Sequence, residues 1–453
     1  MTRPVLRSDW ERPLAYAQRV RSISIPSHGV PYRDPTTLRH LRSSLPHPPL
    51  FPNVRTLRWH PLAQLQRHED LVDLVLLFIG PSIVEINMSV PNARCLSVLP
   101  AFIQSCCRLT VVTLLQYDVM RAEGYADAIS DFVSQLPSLR ELKAPVVRWN
   151  GIEMLSRFTN VQRLLLNTLP VPPTSCAPIP TQTAFPSLTE VEVGCTSLPH
   201  AARLLDYMLD SLLTSLTVNL HHCHTQAECS SFFAVLGSMA ANTSLCYLEI
   251  CAIHELDEDH PAFVAHECGA ACMLGKRFLD ALHPLAALTD LHLHARGDWD
   301  ISDNDIAALG DALPNLANLS LTATDPEEDE AAENRDPQLS LSALFLLAER
   351  CPSLESIRVS LNARSAAVPA LPHRRFNQCT LRQVEVGCSP VEDDHRIARY
   401  LSALFPELQC VLPHPNSPFA AAWYEISAEM ERLVQVRKEE QEWSRMETDD
   451  VVA

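Results

Sequence analysis

The chain has 453 residues, 47% of them apolar and 20% charged, a balance that supports a large buried core and excludes disorder throughout. Its formal net charge is −18, so the phosphate backbone of nucleic acid repels it and non-specific nucleic-acid binding is not expected. Glycine is scarce, 11 residues against 35 prolines, which argues against glycine-rich phosphate loops and for regularly placed element boundaries.

The opening "MTRPVLRSDW" has no apolar stretch behind its charges, so no signal peptide is expected. The most apolar run, "LVDLVLLFIG" (71–80), is short and interrupted by Asp73, so no membrane span is expected. With no secretory signal, the 15 cysteines read as reduced thiols of the cytoplasm or nucleus, most of them on apolar stripes where Cys acts as a small hydrophobe.

In chain order, "SDWERPLAYAQRVRSISI" (8–25) reads as the back half of a helix, with Trp10, Leu14 and Ala17 or Tyr16 at helical spacing. A turn follows, then a strand holding Ile23 and Ile25. From there one phrase recurs: Pro, a small residue, Leu, two variable residues, an aliphatic, one variable residue, another aliphatic. Copies include "FPNVRTLRW" (51–59), "GPSIVEINM" (80–88), "CCRLTVVTL" (106–114), "LPSLRELKA" (136–144) and "FTNVQRLLL" (158–166). The series continues through "FPSLTEVEV" (185–193), "NTSLCYLEI" (242–250), "LAALTDLHL" (285–293), "LPNLANLSL" (313–321), "CPSLESIRV" (351–359) and "QCTLRQVEV" (378–386) to "FPELQCV" (405–411).

The middle aliphatic marks each copy: Ile23, Leu57, Ile86, Val112, Leu142, Leu164, Val191, Leu216, Leu248, Leu291, Leu319, Ile357, Val384 and Val411. Most steps between markers are about 22–32 residues, close to the roughly 20–29 of leucine-rich repeats. The two longest contain the acidic stretches "HELDEDHPAFVAHECG" and "TDPEEDEAAENRDPQ", expected as exposed loop insertions near 255–270 and 325–338. Between the strands, helices are expected over 123–137, 230–242, 302–314, 340–352 and 393–406, several opening on a Ser or Asp N-cap and many stopping at Pro. Because each strand–helix unit can bury its apolar side only against its neighbours, the expected fold class is α/β. It is a leucine-rich-repeat solenoid of the ribonuclease-inhibitor-like horseshoe type with irregular repeats, over 1–416. The position that is Asn or Cys in the commonest consensus is variable here (Thr196, Ile253, Thr324, Ser389), so the Asn ladder between loops is expected to be missing. Residues 417–453 read as a capping helix and charged tail, with Phe419, Trp423 and Ile426 over the end of the stack.

The stretch "RPVLRSDWERPLAYAQRVRSISI" resembles the segment that follows the F-box in F-box leucine-rich-repeat proteins of mushroom-forming fungi, where a Trp-Glu-Arg helix and an Arg-Val-Arg strand lead into degenerate repeats. The resemblance extends over nearly the whole chain, through "LFPNVRTLRW", "PSLRELKAP", "FPSLTEVEVG" and the "LFPEL…W" ending. It implies a non-enzymatic, F-box-like substrate-recognition subunit of a cullin–RING ubiquitin ligase, in which the repeats hold a protein substrate. The F-box itself, which would dock a Skp1-like adaptor, does not precede Ser8 in this sequence. Either the sequence begins downstream of it, the expectation favoured because an uncapped first repeat exposes an apolar edge, or the chain is a scaffold without the ligase connection. The alternative is a stand-alone leucine-rich-repeat regulator, for example of a small GTPase.

Catalytic arrangements are near-misses. "GAACMLGKR" (269–277) has the wrong glycine spacing for a phosphate loop and Arg277 where a magnesium-binding Ser or Thr would stand. "HHCH" (221–224), Cys229, His254, His260, His266, Cys268 and Cys272 could offer zinc ligands, but no second Cys pair follows at finger-like distance. Neither a metal nor a cofactor is expected. What remains is surface recognition. The residues alternating with the aliphatics point out of the concave sheet, and the candidate binding residues are Arg58, Glu141, Glu190, Glu192, Glu249, Asp290, His292, Arg358 and Glu385, with Glu85 beside them. That face is acidic through its middle, which favours a protein partner with a basic segment. Neither nucleic acid nor a membrane is expected as a partner.

Overall fold

The computed structural model describes residues 7–25, 43–46, 49–60, 75–90, 93–116, 122–172, 184–220, 226–239, 244–252, 274–295, 299–323, 337–364 and 378–452. The chain divides into two compact units, Met1–Thr196 with Arg203–Leu213, and Ser197–Ala202 with Thr214–Ala453. The expected insertion at 255–270, nearly all of that at 325–338, the "HHCH" run and His254, His260, His266, Cys268 and Cys272 lie outside the described residues.

The first unit holds α1 (Glu11–Ala17), β1 (Ser22–Ile25), β2 (Thr56–Trp59), β3 (Glu85–Ser89), α2 (Leu99–Ser105), β4 (Val111–Leu115), α3 (Ala122–Val133), β5 (Glu141–Val146), α4 (Trp149–Ser156), β6 (Arg163–Thr168) and β7 (Glu190–Cys195). Its strands pair in parallel and in chain order, and the register is that of the repeat: Ile23 lies beside Leu57, then Ile86, Val112, Leu142, Leu164 and Val191. From Leu57 onward every marker is buried.

The recurring phrase has two physical parts. In its first, the residue before Pro closes a turn by accepting the backbone N–H three residues on. Leu139 donates to Leu136 and Leu188 to Phe185 in the first unit, and Leu316 to Leu313, Leu354 to Cys351 and Leu408 to Phe405 in the second. Proline at the second turn position has its backbone angle already set. In its second part, one carbonyl of each repeat accepts two successive N–H groups from the next: Arg140 and Glu141 donate to Thr110, Gln162 and Arg163 to Arg140, Thr189 and Glu190 to Gln162. Backbone bonds therefore set the register at each strand entry, reinforced where the first variable residue is threonine: the Thr110 and Thr189 hydroxyls donate to the same carbonyls as their own N–H groups.

The second unit repeats the plan. It holds β8 (Ser215–Leu220), α5 (Gln226–Met239), β9 (Tyr247–Ala252), β10 (Leu274–Gly275), α6 (Lys276–Asp280), β11 (Asp290–Ala295), β12 (Trp299–Asp300), α7 (Asp303–Ala312), β13 (Asn318–Ala323), α8 (Leu341–Arg350), β14 (Ser356–Val359), β15 (Gln383–Gly387), α9 (Asp394–Leu404), β16 (Cys410–Pro413) and α10 (Ala420–Val452). Leu216, Leu248, Leu291, Leu319, Ile357, Val384 and Val411 stand in one register across β8, β9, β11, β13, β14, β15 and β16, all buried, while β10 pairs with β12 apart from them. The expected caps are present. Ser302 and Asp305 form a reciprocal capping box on α7, Ser340 accepts the N–H of Ser342 on α8, and Asp393 that of Arg396 on α9.

Each unit is thus an α/β solenoid of leucine-rich-repeat type, parallel strands stacked in chain order with helices in the connections. One loop tie survives without Asn: the Ser389 hydroxyl is buried, donates to the Val386 carbonyl and accepts the N–H of Leu361 from the preceding repeat at 2.7 Å. Buried thiols make comparable ties at helix ends, Cys106 to the Gly80 carbonyl at 3.3 Å and Cys351 to the Leu313 carbonyl at 3.6 Å. Burial pushes the Cys106 thiol up to about 12 and Cys351 to about 11, so both stay protonated donors. Helix α10 lies on α9 and β16, burying Trp423, Ile426 and Met430, with the Trp423 Nε1–H donating to the Ser389 carbonyl at 2.8 Å. Phe419, expected beside them, is half-buried.

Candidate functional site

Strand alternation puts the residues either side of each marker on the face opposite the buried one. In the first unit the row before the markers runs Thr56, Glu85, Val111, Glu141, Arg163, Glu190, and the row after them Arg58, Asn87, Thr113, Lys143, Leu165, Glu192. Glu141 and Glu190, both candidates, are brought together by a residue not singled out from the sequence. The Arg163 guanidinium reaches Glu190 with two hydrogen bonds of 2.7 and 2.8 Å and Glu141 at 3.5 Å. Those bonds to Glu190, above all, hold Arg163 above the usual guanidinium range. The signal for Arg163 was present in "FTNVQRLLL", whose last variable residue before the marker is basic while its counterparts in the flanking repeats are acidic. Arg58 lies 3.8 Å from Glu85, and Glu85 also accepts from the Thr56 hydroxyl at 3.1 Å. Glu192 makes no ion pair among the described residues.

In the second unit the row before the markers is Ser215, Tyr247, Asp290, Asn318, Ser356, Gln383, Cys410, and the row after them Thr217, Glu249, His292, Ser320, Arg358, Glu385, Leu412. Arg358 and Glu385 pair at 3.1 Å, and Gln383 donates to Glu385 at 2.7 Å. The other carboxylates are held by neutral donors. Asp290 accepts from the Asn318 amide and the Thr289 hydroxyl, each at 2.6 Å. Glu249 accepts from the Tyr247 hydroxyl at 2.8 Å, and Nε2 of His294 lies 3.9 Å from it. Burial lowers the pKa of His294 and outweighs the opposing pull of Glu249, with smaller lowering contributions from Arg358 and His292, so the ring is neutral near pH 7. The Tyr247 and His292 rings lie 5.4 Å apart at 38°.

Among the described residues, no group of three or more His, Cys, Asp or Glu could hold a metal ion. Of the "GAACMLGKR" stretch, Gly275 precedes the short helix α6 and Lys276 lies 3.6 Å from Asp305, a structural ion pair. No described helix is long and apolar enough to cross a membrane.

No protein-family model matches the chain, and no curated protein matches it. Among solved structures, a chain of the yeast Rad7–Elc1 complex aligns at 12% identity and a TM-score of 0.36, over 76% of this chain and 81% of that one. An internalin (inlF) of Listeria monocytogenes aligns at 14% identity and 0.34, over 75% and 82%. A chain of the Drosophila Toll–Spatzle complex aligns at 13% and 0.32, over 86% and 51%.

Proposed function

We propose that the chain is a non-enzymatic protein-binding scaffold whose strand face receives a protein partner through a basic segment. The observation that carries this reading is the pair of half-buried carboxylates, Glu249 and Asp290, oriented by neutral donors and given no cation among the described residues. A fixed, uncompensated negative field on an open face selects positively charged partners and speeds their encounter. Glu192 adds a further unpaired carboxylate on the first unit's face. Within that reading, the chain acts as an F-box-like substrate receptor of a cullin–RING ubiquitin ligase in the cytoplasm or nucleus. Support for this comes from the resemblance of the Trp10–Tyr16–Arg19–Val20–Arg21 stretch to the segment behind an F-box. In the structure that stretch forms a helix with Trp10 buried, followed by β1.

Two measurements test it. Expressed from its own locus with a C-terminal tag, the full-length product is expected to co-purify with a Skp1-like adaptor and a cullin; a product that brings down its partner without them removes the ligase assignment and leaves the scaffold. Glu192→Lys and Glu249→Lys are expected to leave the circular dichroism spectrum unchanged and each to weaken capture of the basic partner by about tenfold, through direct charge repulsion. Normal capture by both variants removes the acidic-face reading.

A further inference from the structure

On the strand face of the second unit, a histidine is set between a hydroxyl and a carboxylate. His294, near the end of β11, has Cys251 on β9 and Thr322 on β13 as its cross-strand neighbours. Its Nδ1 shares a hydrogen bond with the Thr322 hydroxyl. Its Nε2 faces Oε1 of Glu249 on the diagonal at 3.9 Å, just beyond hydrogen-bonding reach. The other oxygen of Glu249, Oε2, accepts from the Tyr247 hydroxyl at 2.8 Å, so the carboxylate is held with Oε1 left to the ring. The two side chains are only 27% and 28% exposed. Water can deliver a proton there but screens the two charges only in part.

The groups on either side of the ring suit both of its protonation states. The Thr322 hydroxyl donates or accepts, so it serves Nδ1 whether or not that nitrogen carries a proton. In the imidazolium both nitrogens donate, and the hydroxyl and the carboxylate opposite them both accept. Closing Nε2–H onto Oε1 then takes about 1 Å of side-chain movement.

Among the described residues, no other group around the ring competes for this part. On β9, Cys251 stays uncharged, its thiol pushed up by burial first and then by Glu249. On β13, Asn318, Ser320 and Thr322 carry no charge, and on β14 Arg358 is paired with Glu385. On β11 itself, Asp290 is held by Asn318 and Thr289, and the His292 ring lies against Tyr247 at 5.4 Å. Burial lowers the His294 pKa from 6.5 against the pull of Glu249, with Arg358 and His292 adding to the lowering, so the ring takes its proton only as pH falls below 6.5.

Resting on the acidic-face reading above, we propose that His294 is a proton-operated switch on Glu249. While the ring is neutral, the carboxylate is open to a basic partner segment. Once protonated, the ring donates to Oε1 and cancels the charge that the partner would meet. Proton and partner compete for one carboxylate, so each weakens the other by the same factor. Binding is therefore full above pH 6.5 and is lost as His294 protonates.

Two measurements on the full chain test this. The His294 ring is titrated by NMR in wild type and in Glu249→Gln, where loss of the carboxylate is expected to lower its pKa by about one unit. An unchanged value overturns the pairing, whether or not any partner binds. An octalysine peptide, whose charge is constant over the range, is then titrated at low salt at pH 7.5 and pH 5.0. Every protonated histidine repels it, so the comparison is between variants. The loss of affinity on acidification is expected to be about fivefold greater for wild type than for His294→Gln, and to persist in His292→Gln. An equal loss in wild type and His294→Gln, or a loss removed by His292→Gln instead, overturns the switch and leaves the scaffold standing. Octalysine that fails to bind wild type at pH 7.5 overturns the acidic-face reading and the release with it, while the NMR titration still decides the pairing.

Discussion

The strand faces of the two units differ although the strands that carry them are built alike. Both place one aliphatic row in the same register and bury it. On the outer rows, the first unit sets Arg163 between Glu141 and Glu190 and Arg58 beside Glu85, so these three acids, though not Glu192, have cations beside them. The second unit sets tyrosine, histidine, asparagine and serine in the corresponding places, and Glu249 and Asp290 are met by neutral donors. The buried row is fixed by the need to remove apolar surface from water. The outer row has no such duty, so its residues are free to differ between the units.

The comparison breaks most visibly if the inner rows are not equivalent. Leu164→Ala in the first unit and Leu291→Ala in the second each empty a fully buried position, and each is expected to cost about 2–5 kcal/mol from lost transfer energy and the cavity left behind. The measurement is the urea midpoint of each variant, with the unfolding slope checked for change. If either substitution costs less than about 1 kcal/mol, that row is not the packed seam its register indicates.

A smaller effect sharpens the contrast through protonation. His294 on the second face and His60 on the first both have pKa values lowered from 6.5, each by burial first, with Arg58 adding to the effect on His60. The unfolded chain therefore takes up these protons before the folded one does. The stability they contribute is present above pH 6.5 and is lost as pH falls through the folded values. The thermal midpoint is expected to drop between pH 7.5 and 5.5, and His294→Gln, which can still hydrogen-bond to Thr322, to flatten part of that drop. A profile unchanged by His294→Gln would mean that the ring does not sit neutral on that face.

How much of this was legible follows from which interactions are local. The marker row could be read because a strand's period of two and the repeat's fixed phrase leave a direct trace, and the capped helices at 303–312, 341–350 and 394–404 fall within two residues of their expected ends. The short helices Leu99–Ser105 and Trp149–Ser156 begin after Val98 and Arg148, which make no side-chain cap, so the Ser or Asp start signal of the longer helices is missing there. At the candidate site, residue identities could be read but not their pairing. Whether Glu141 or Glu249 is charged toward a partner depends on what the next strand presents some 22 to 43 residues away. Arg163 stands between Glu141 and Glu190 only once the strand register brings three repeats side by side. Ser389 replaces an Asn rung through a tight local turn, which the consensus position alone did not reveal.

The gentlest perturbation converts one face toward the other. Arg163 is half-exposed and its ion pairs face solvent, so Arg163→Gln is expected to cost at most about 1 kcal/mol of stability. Its effect on binding should be larger than its effect on folding, because it releases Glu141 and Glu190 together and leaves the first face with two uncompensated carboxylates on either side of β6. A lysine-containing peptide titrated at low salt is expected to bind Arg163→Gln more tightly than wild type, with the gain disappearing as salt rises and screens these exposed groups. The same titration on Glu249→Gln should move the other way. If Arg163→Gln leaves peptide binding unchanged at every salt concentration, compensation by a neighbouring strand is not what separates the two faces.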